Sequence, residues 1–421
     1  MAIFSQFHPQ SLLGIVAILF IAWILSENRR AFPARVVVGG LLLQAGFALL
    51  LLKVPLARSA LFSLNGAVSA VTDATRVGTS FVFGYVGGGT PPFSVTNPAS
   101  LTSFAFGVLP LVIVISALSA LLWHWRILPL VIGAIAFVLR KLMGLGGAVG
   151  LGSGATIFLG MVEAPLLIRP YLSRLTRSEL FILLTVGLAS VAGTVFVLYA
   201  TILKPVLPNA LGHILIASMM SLPGAIVIAR IMIPGDVTTD AVEESALKYR
   251  SSMDALAHGT EDGLKIYLQI VAMLVVILAV VALANAVLGA LPAVGGGPLT
   301  LERIFGWLFA PIVWLYGVPW QEAATAGSLM GIKTVLNELI AFLRLSTLPK
   351  GALDQRSLLI MVYAMCGFAN FGSVGIMLAG MSTLIPARRE EIVPLAMRAL
   401  VSGTLASGLT GSMIGFLPVS G

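Results

Sequence analysis

Charge is what this chain has least of. Only 10% of its 421 residues are Asp, Glu, Lys or Arg, against about 25% in a typical soluble domain. A water-soluble globule of this length needs a charged, solvated shell, and this composition excludes one. Cysteine is nearly missing too. Cys366 stands alone, which rules out an intrachain disulfide and any paired-cysteine metal site. The four histidines, His8, His124, His213 and His258, are scattered without ligand spacing. Signatures of catalysis are also lacking. The glycine-rich stretch from Gly144 to Gly154 has no Gly-Lys-Ser/Thr ending, so it is not a phosphate-binding loop. There is no His-Glu-x-x-His, and Gly152-Ser153-Gly154 reads as flexible backbone rather than as a nucleophile elbow. Nothing here points to an enzyme or to an organic cofactor.

What the chain does have is apolar length. Hydrophobic residues make up 58% of it and the mean hydropathy is +1.03. A spanning helix needs about 20 apolar residues to cross a hydrocarbon layer about 30 Å thick. Such runs lie at Leu12–Ser26, Val36–Leu56, Phe104–Trp123, Leu180–Leu203, Leu211–Ile233, Ile266–Leu288, Ile304–Trp320, Leu358–Leu378 and Leu395–Phe416. The first lacks a preceding basic stretch, so it is not a cleavable signal. Glu27, Arg29 and Arg30 follow it, which puts the first loop inside and the N-terminus outside. The net charge of +8 gathers in such loops, at Arg140/Lys141, Arg169/Arg174/Arg177 and Arg388/Arg389, and is no nucleic-acid footprint. Trp123, Trp125, Trp307, Trp314 and Trp320 suit headgroup anchors.

One stretch is aqueous. Pro234 to Asp262 is rich in Asp, Glu, Lys and Arg and reads as a solvated linker between two apolar halves, a loop with room for a short helix rather than a site. Those halves echo each other. Gly160-Met161-Val162-Glu163-Ala164-Pro165 precedes a hydrophobic segment interrupted at Gly187-Leu188-Ala189-Ser190. Thr334-Val335-Leu336-Asn337-Glu338 precedes another, interrupted at Gly367-Phe368-Ala369-Asn370. A carboxylate hairpin followed by a broken helix, twice over, is how many transporters enclose a site near mid-membrane.

Ionisable groups at that depth face a cavity, a partner or a pathway. Glu163 and Glu338 are the acids most deeply set in apolar sequence. The competing reading makes each merely the ion-pair partner of a nearby base, Arg169 or Lys333. Pro165 obstructs the turn before it, so the backbone breaks near Glu163. Such a break at membrane depth must line a cavity or be covered by protein. Asn370 and Ser373 share a face at helical spacing and offer both donors and acceptors, which suits a polyhydroxylated solute. Phe368 can lie against a ring. Interhelical packing is the alternative role for Asn370 and Ser373. Thr156 and Ser190 could lend oxygens to a small cation, or could simply pack.

At these motifs the sequence resembles the concentrative nucleoside transporter family. The matching stretches are Gly160–Arg169 (GMVEAPLLIR), Gly187–Gly193 (GLASVAG), Gly306–Glu322 (GWLFAPIVWLYGVPWQE), Gly331–Glu338 (GIKTVLNE), Cys366–Ser373 (CGFANFGS) and the region Ala399–Thr404. They fall in family order over most of the chain. The resemblance implies an all-α integral membrane fold, a homotrimer built on an inverted repeat. Each protomer would have eight transmembrane helices, two re-entrant hairpins and interfacial helices, with Ile304–Trp320 interfacial or part of a hairpin region. Residues 1–100 would form a transmembrane and interfacial scaffold. Residues 101–234 would hold the first repeat with hairpin 1 and a broken helix, 235–263 the polar loop, and 264–421 a scaffold helix and the second repeat with hairpin 2.

The implied activity is secondary active import of nucleosides, ribosyl compounds, driven by a sodium or proton gradient through elevator-type alternating access. Glu338, Asn370 and Ser373 would hold the ribose hydroxyls, Phe368 would line the pocket, and Glu163 would lie near base and ribose. Gly160, Met161 and Val162 would form the tip facing the base. Thr156 and Ser190, with the carbonyls of Leu159 and Val191, would bind the cation. Two positions depart from the family pattern. Met161 and Val162 replace the usual Gln and Thr, removing hydrogen-bonding groups that face the base, which implies relaxed or altered base preference. Thr156 stands where sodium-coupled members carry Asn, so sodium and proton both stay open, with sodium favoured by the intact Ser190 segment. A modified nucleoside, a nucleobase or a free sugar is the alternative cargo, and a passive channel the alternative class. The short N-terminus and lack of long tails suit a bacterial inner membrane. The other expected partners are the lipid bilayer and two further copies of the chain.

Overall fold

The computed structural model describes residues 8–95, 103–235, 249–294 and 297–418, and within them the chain is helical, with a single isolated bridge between Val294 and Gly297. The N-terminal part consists of α1 (Pro9–Ile24), α2 (Ala34–Lys53), α3 (Pro55–Phe83), α4 (Leu111–His124) and α5 (Ile127–Met143). A first set of short helices follows: α6 (Gly147–Leu159), α7 (Glu163–Leu167), α8 (Arg169–Leu172), α9 (Arg177–Ala189) and α10 (Gly193–Leu203). Two long helices come next, α11 (Ala210–Met232) and α12 (Ser252–Gly289). The C-terminal part contains α13 (Leu301–Tyr316), α14 (Trp320–Val335), α15 (Glu338–Ser346), α16 (Gln355–Met365), α17 (Phe371–Leu384) and α18 (Arg389–Phe416).

The echo between the halves has a structural counterpart. In each, a helix stops at a short break and a carboxylate opens the next one: α6 to α7 at Glu163, and α14 to α15 at Glu338. A second interrupted pair follows each time, α9 with α10 and α16 with α17. Among the described residues six helical stretches are long and apolar enough to cross a membrane. The pair α13–α14 would make seven, but it bends by 114°. Gly317 makes that bend possible, since its φ of +114° is open chiefly to glycine. Two expected spans miss the test for physical reasons. The first helix has only 16 residues, about 24 Å at 1.5 Å per residue, and Leu358–Leu378 is interrupted between Met365 and Phe371.

The polar stretch also differs from a plain loop. Asp236, Asp240, Glu243, Glu244 and Lys248 lie outside the described residues, but Ser252–Asp262 forms the opening turns of α12. Ser251 caps that helix by accepting from the amide of Asp254. Gly259 and Gly263, one turn apart, let α12 approach α4 closely. A Cβ on either would stand 2.7 Å from the Cα of Ala117 or Ile113, a small-residue contact typical of membrane helices. The remainder of α12 is different: none of its apolar window is buried by the protein.

The core sits on α9–α10, α11, α16 and α18. The apolar window of Arg177–Leu203 is 89% buried and that of α11 is 83% buried. Gln44 on α2 joins this core by donating both to the Met220 carbonyl and to the Thr410 hydroxyl. A polar clamp holds the other edge. Glu27, in the loop after α1, accepts from Arg177 Nη2 at 2.9 Å and also from Arg398. The hydrogen bond from Arg177 holds the Glu27 carboxyl below its ordinary range, with the charges of both arginines adding to it. Folding therefore gains from this clamp only above the ordinary carboxylate range, and the gain disappears as pH falls through the lowered value. Partial exposure limits it to under about 1 kcal/mol. Thermal unfolding of Glu27→Gln in detergent should show a small deficit near pH 7 that shrinks once pH drops below the ordinary carboxylate range and closes only beneath the lowered Glu27 value.

Candidate functional site

Two interrupted helices meet at the centre of the molecule. After α9 the backbone runs extended from Ser190 (φ −113°, ψ 169°) to Ala192 (φ −75°, ψ 145°). After α16 it unwinds from Cys366 to Asn370 (φ −144°, ψ 164°). The stretches touch where the amide of Phe368 donates to the Ser190 carbonyl at 3.1 Å. That bond satisfies two groups freed by unwinding, as a low-dielectric interior requires. Gly367 makes the approach possible, because a Cβ there would lie 2.6 Å from the Ala189 carbonyl oxygen.

Polar caps then reorganise the second half. Asn337 and Asn370 each precede a helix and accept, through Oδ1, the amide of the residue three further on: Ile340 at 2.9 Å and Ser373 at 2.8 Å. These are ordinary N-caps. They also leave both carboxamide nitrogens pointing away from their own helices. Asn370 Nδ2 donates to Glu338 Oε2 at 3.1 Å, and Tyr199 Oη donates to Glu338 Oε1 at 2.6 Å. Glu338 is therefore held from α10 on one side and from the unwound segment on the other. Lys333 is not its hydrogen-bonded mate. That ammonium is wholly buried and has no hydrogen-bond partner among the described residues.

Beside this carboxylate lies a cavity of about 170 Å³. Glu338, Asn370, Ser373, Phe368 and Met161, all expected from sequence, line it together. Tyr199, Asn337 and Gln269 line it as well and were not among the expected residues. Tyr199 lies inside an unbroken apolar run, where nothing distinguishes its hydroxyl from a packing tyrosine. Asn337 precedes Glu338 directly, and its cap signal, Asn before an apolar helix, was there to be read. The rest of the lining is apolar, including Val195, Leu198, Ile270 and Met273.

The first break contributes differently. Gly160, with φ +88°, turns the chain after α6. A Cβ at Gly160 would stand 2.9 Å from Glu163 Oε2, so the carboxylate folds back beside its own turn. Glu163 consequently lines a second, smaller cavity of about 110 Å³ with Leu159, Thr194, Tyr249 and Asp262, not the one beside Glu338. The cavity that Glu163 lines and the one beside Glu338 share Ile266. Of the tip residues only Met161 reaches the main cavity, while Val162 packs toward Gly380. No salt bridge joins Glu163 to Arg169 among the described residues.

Thr156 and Ser190 are both buried, and each hydroxyl donates at 2.9 Å to a carbonyl one turn back, Gly152 and Val186 respectively. Hydroxyls bonded this way keep oxygen lone pairs for a ligand. Val191 lies wholly buried next to Ser190. Among the described residues no three His, Cys, Asp or Glu side chains come together in a metal-binding cluster.

A carboxylate between two broken helices, facing a cavity in an apolar helical protein, defines a membrane transporter rather than an enzyme. Residues 13–86 match the description "Na+ dependent nucleoside transporter N-terminus", 213–415 the corresponding C-terminus, and 105–206 "Nucleoside recognition". The chain is 37% identical over 410 residues to the uncharacterized transporter YutK of Bacillus subtilis, covering 96% of this chain and 98% of that one. It is 34% identical to the nucleoside permease NupC of Helicobacter pylori, covering 96% of each. The structure of CNTnw in an inward-facing substrate-bound state superposes with a TM-score of 0.88 at 36% identity, over 97% of this chain and 98% of that one. CNTnw variants in an outward-facing state fit nearly as well, with a TM-score of 0.87 for one of them. The chain belongs to the Na+ dependent nucleoside transporter family.

Replacing Gly367 by Ala puts a methyl group onto the Ala189 carbonyl. Overpacking of this kind destabilises by about 1–3 kcal/mol. G367A should melt measurably lower than wild type by detergent thermal shift, and an unchanged melting temperature would show that the crossing tolerates separation.

Proposed function

We propose that this protein imports nucleosides against their gradient, coupled to a cation, and that Glu338 binds the ribose. The observation that carries this is the way Glu338 is held. A carboxylate offers about four acceptor sites, and Tyr199 and Asn370 occupy one on each oxygen. The remaining sites suit two neighbouring hydroxyls, the pattern of a ribose 2′,3′-diol. Ser373, which lines the same cavity, adds a hydroxyl that can donate or accept. Phe368 and Met161 supply apolar surface for the flat base. The unwound segments carry Phe368 and Asn370, and the bond from the Phe368 amide to the Ser190 carbonyl ties the two segments together.

The coupling ion is part of the cargo. Thr156, Ser190 and the carbonyls of Leu159 and Val191 are the groups assigned to it. Family membership supports sodium, and the hydroxyl of Thr156 can serve as a ligand for it. Eight membrane crossings follow if α1 and the broken pair α16–α17 each count as one beside the six long stretches, with α13–α14 excluded because of its bend. The two carboxylate-bearing pairs, α6–α7 and α14–α15, are then re-entrant hairpins of an inverted repeat. The protomers assemble as a homotrimer in the plasma membrane with the N-terminus outside, and an elevator-like displacement carries the site across. A free nucleobase is the weaker alternative, since it leaves the open acceptor sites of Glu338 unused.

Reconstituted vesicles distinguish these readings. Imposed sodium gradients should drive accumulation of labelled uridine or adenosine above the outside concentration. Equilibration without accumulation would indicate a channel, and uptake abolished by a protonophore but indifferent to sodium would assign the coupling to protons. Adenosine, uridine and pseudouridine should all compete, because the Met161 and Val162 tip has no side-chain hydrogen bond to offer. Strict pyrimidine selection would overturn that relaxed preference.

Glu338→Gln keeps the size and loses the charge. Hydrogen bonds to charged groups contribute about 1.5–3 kcal/mol, so its KM for nucleoside should rise at least about tenfold with assembly on gel filtration unchanged. Unaltered uptake would refute the ribose role.

A further inference from the structure

The polar groups of the main cavity account for a sugar, and the rest of its lining is almost entirely apolar. Helix α12 supplies Ile266, Gln269, Ile270, Met273 and Leu274 to it. Spaced by three and four, these form one face of a helix, and Gln269 is the only polar member. It is also unusual within the helix. Between Lys265 and Asn285 no other residue carries an amide or a charge. Asn285 is fully engaged, donating to Glu302 at 3.2 Å and accepting from the Leu301 amide at 2.8 Å. Gln269 forms no hydrogen bond among the described residues.

Gln269 is exposed on its helix and unpartnered, so its amide is open to a solute that enters the cavity it lines. The cavity is where a partner can come from. The other two amides on its wall, Asn337 and Asn370, have their oxygens committed to helix caps. Met161, at the tip of the first break, brings none.

We propose that Gln269 is a specificity-determining residue that reads the hydrogen-bonding edge of the nucleobase. This rests on the nucleoside reading above. A carboxamide presents an N–H donor beside a C=O acceptor. Turned one way it complements N–H and C=O neighbours on a pyrimidine, and turned the other way the amino group and ring nitrogen of adenine. One side chain on α12 thus accepts both base classes while still requiring an edge to bond.

The test uses paired competitors that differ only at that edge, with the full-length protein in vesicles. Adenosine is paired with purine riboside, which lacks the amino group, and uridine with 3-methyluridine, whose N–H is blocked. Wild type should prefer the first of each pair by about 5- to 30-fold in inhibition constant. Gln269→Leu should bring both ratios close to one while leaving purine riboside affinity within about twofold. Gln269→Met, which keeps an unbranched stem, serves if the leucine variant fails to assemble. Unchanged ratios in the variant would overturn the proposal, and so would an equal loss for all four compounds, which marks a packing role. Glu338→Gln in the same assay keeps the two questions apart. If it weakens all four compounds alike while Gln269→Leu does nothing, the nucleoside reading stands and only the edge reading fails. If wild type binds none of the four, both fail together.

Discussion

One backbone hydrogen bond, from the Phe368 amide to the Ser190 carbonyl, sets the conditions for the rest of the site. Unwinding a helix inside a membrane exposes groups that lipid cannot satisfy. Here two unwound stretches satisfy each other, and the contact is close enough that Gly367 has no room for a side chain. Once the crossing is made, the residues after it have fixed positions. Phe368 faces the cavity, Asn370 starts a new helix, and its amide nitrogen reaches Glu338. The binding wall is a consequence of how the backbone is kept bonded.

The two halves share an order of elements and divide the chemistry unequally. In the second half both breaks are closed by asparagine caps whose remaining amide groups are free to face inward. In the first half, neither Val162 nor Ala192 caps the following helix with a side chain. Its tip offers Met161 instead, and its carboxylate turns back toward Gly160. The polar groups gathered at Glu338 therefore come mostly from the second half, with Tyr199 the first half's contribution. Within the cavity the polar residues Tyr199, Asn337, Glu338, Asn370 and Ser373 stand among an otherwise apolar lining whose one further amide is Gln269.

Much of this was legible beforehand, and what was not has definite causes. The apolar composition implied membrane helices, and the Gly-x-Ala-polar interruptions marked both unwound segments, because glycine followed by a capping residue in an apolar run is hard to explain otherwise. Glu338, Asn370, Ser373, Phe368 and Met161 were found as a group because their neighbours in sequence carry recognisable motifs. Tyr199 was not, since a tyrosine in a buried helix looks the same whether or not its hydroxyl meets a carboxylate. The direction of the Glu163 side chain, folded back beside Gly160, depends on the positive φ of that glycine, which composition does not reveal. The charge of Asp254, Glu261 and Asp262 suggests at most a short helix in a polar linker, whereas these residues open the long α12, seated against α4 by Gly259 and Gly263.

The long exposed helix has a further consequence. Because α12 is anchored near its beginning and carries an apolar stripe beyond, the cavity has one wall with nearly the same character at every level. A displacement of either wall by one helical turn, 5.4 Å, would put Met273 where Gln269 now stands. The polar wall would meet a similar greasy surface throughout, with the single amide encountered at only one height. Under the proposed elevator-like displacement the stripe would act as a ruler with one mark on it, Gln269 marking a single position along the helix.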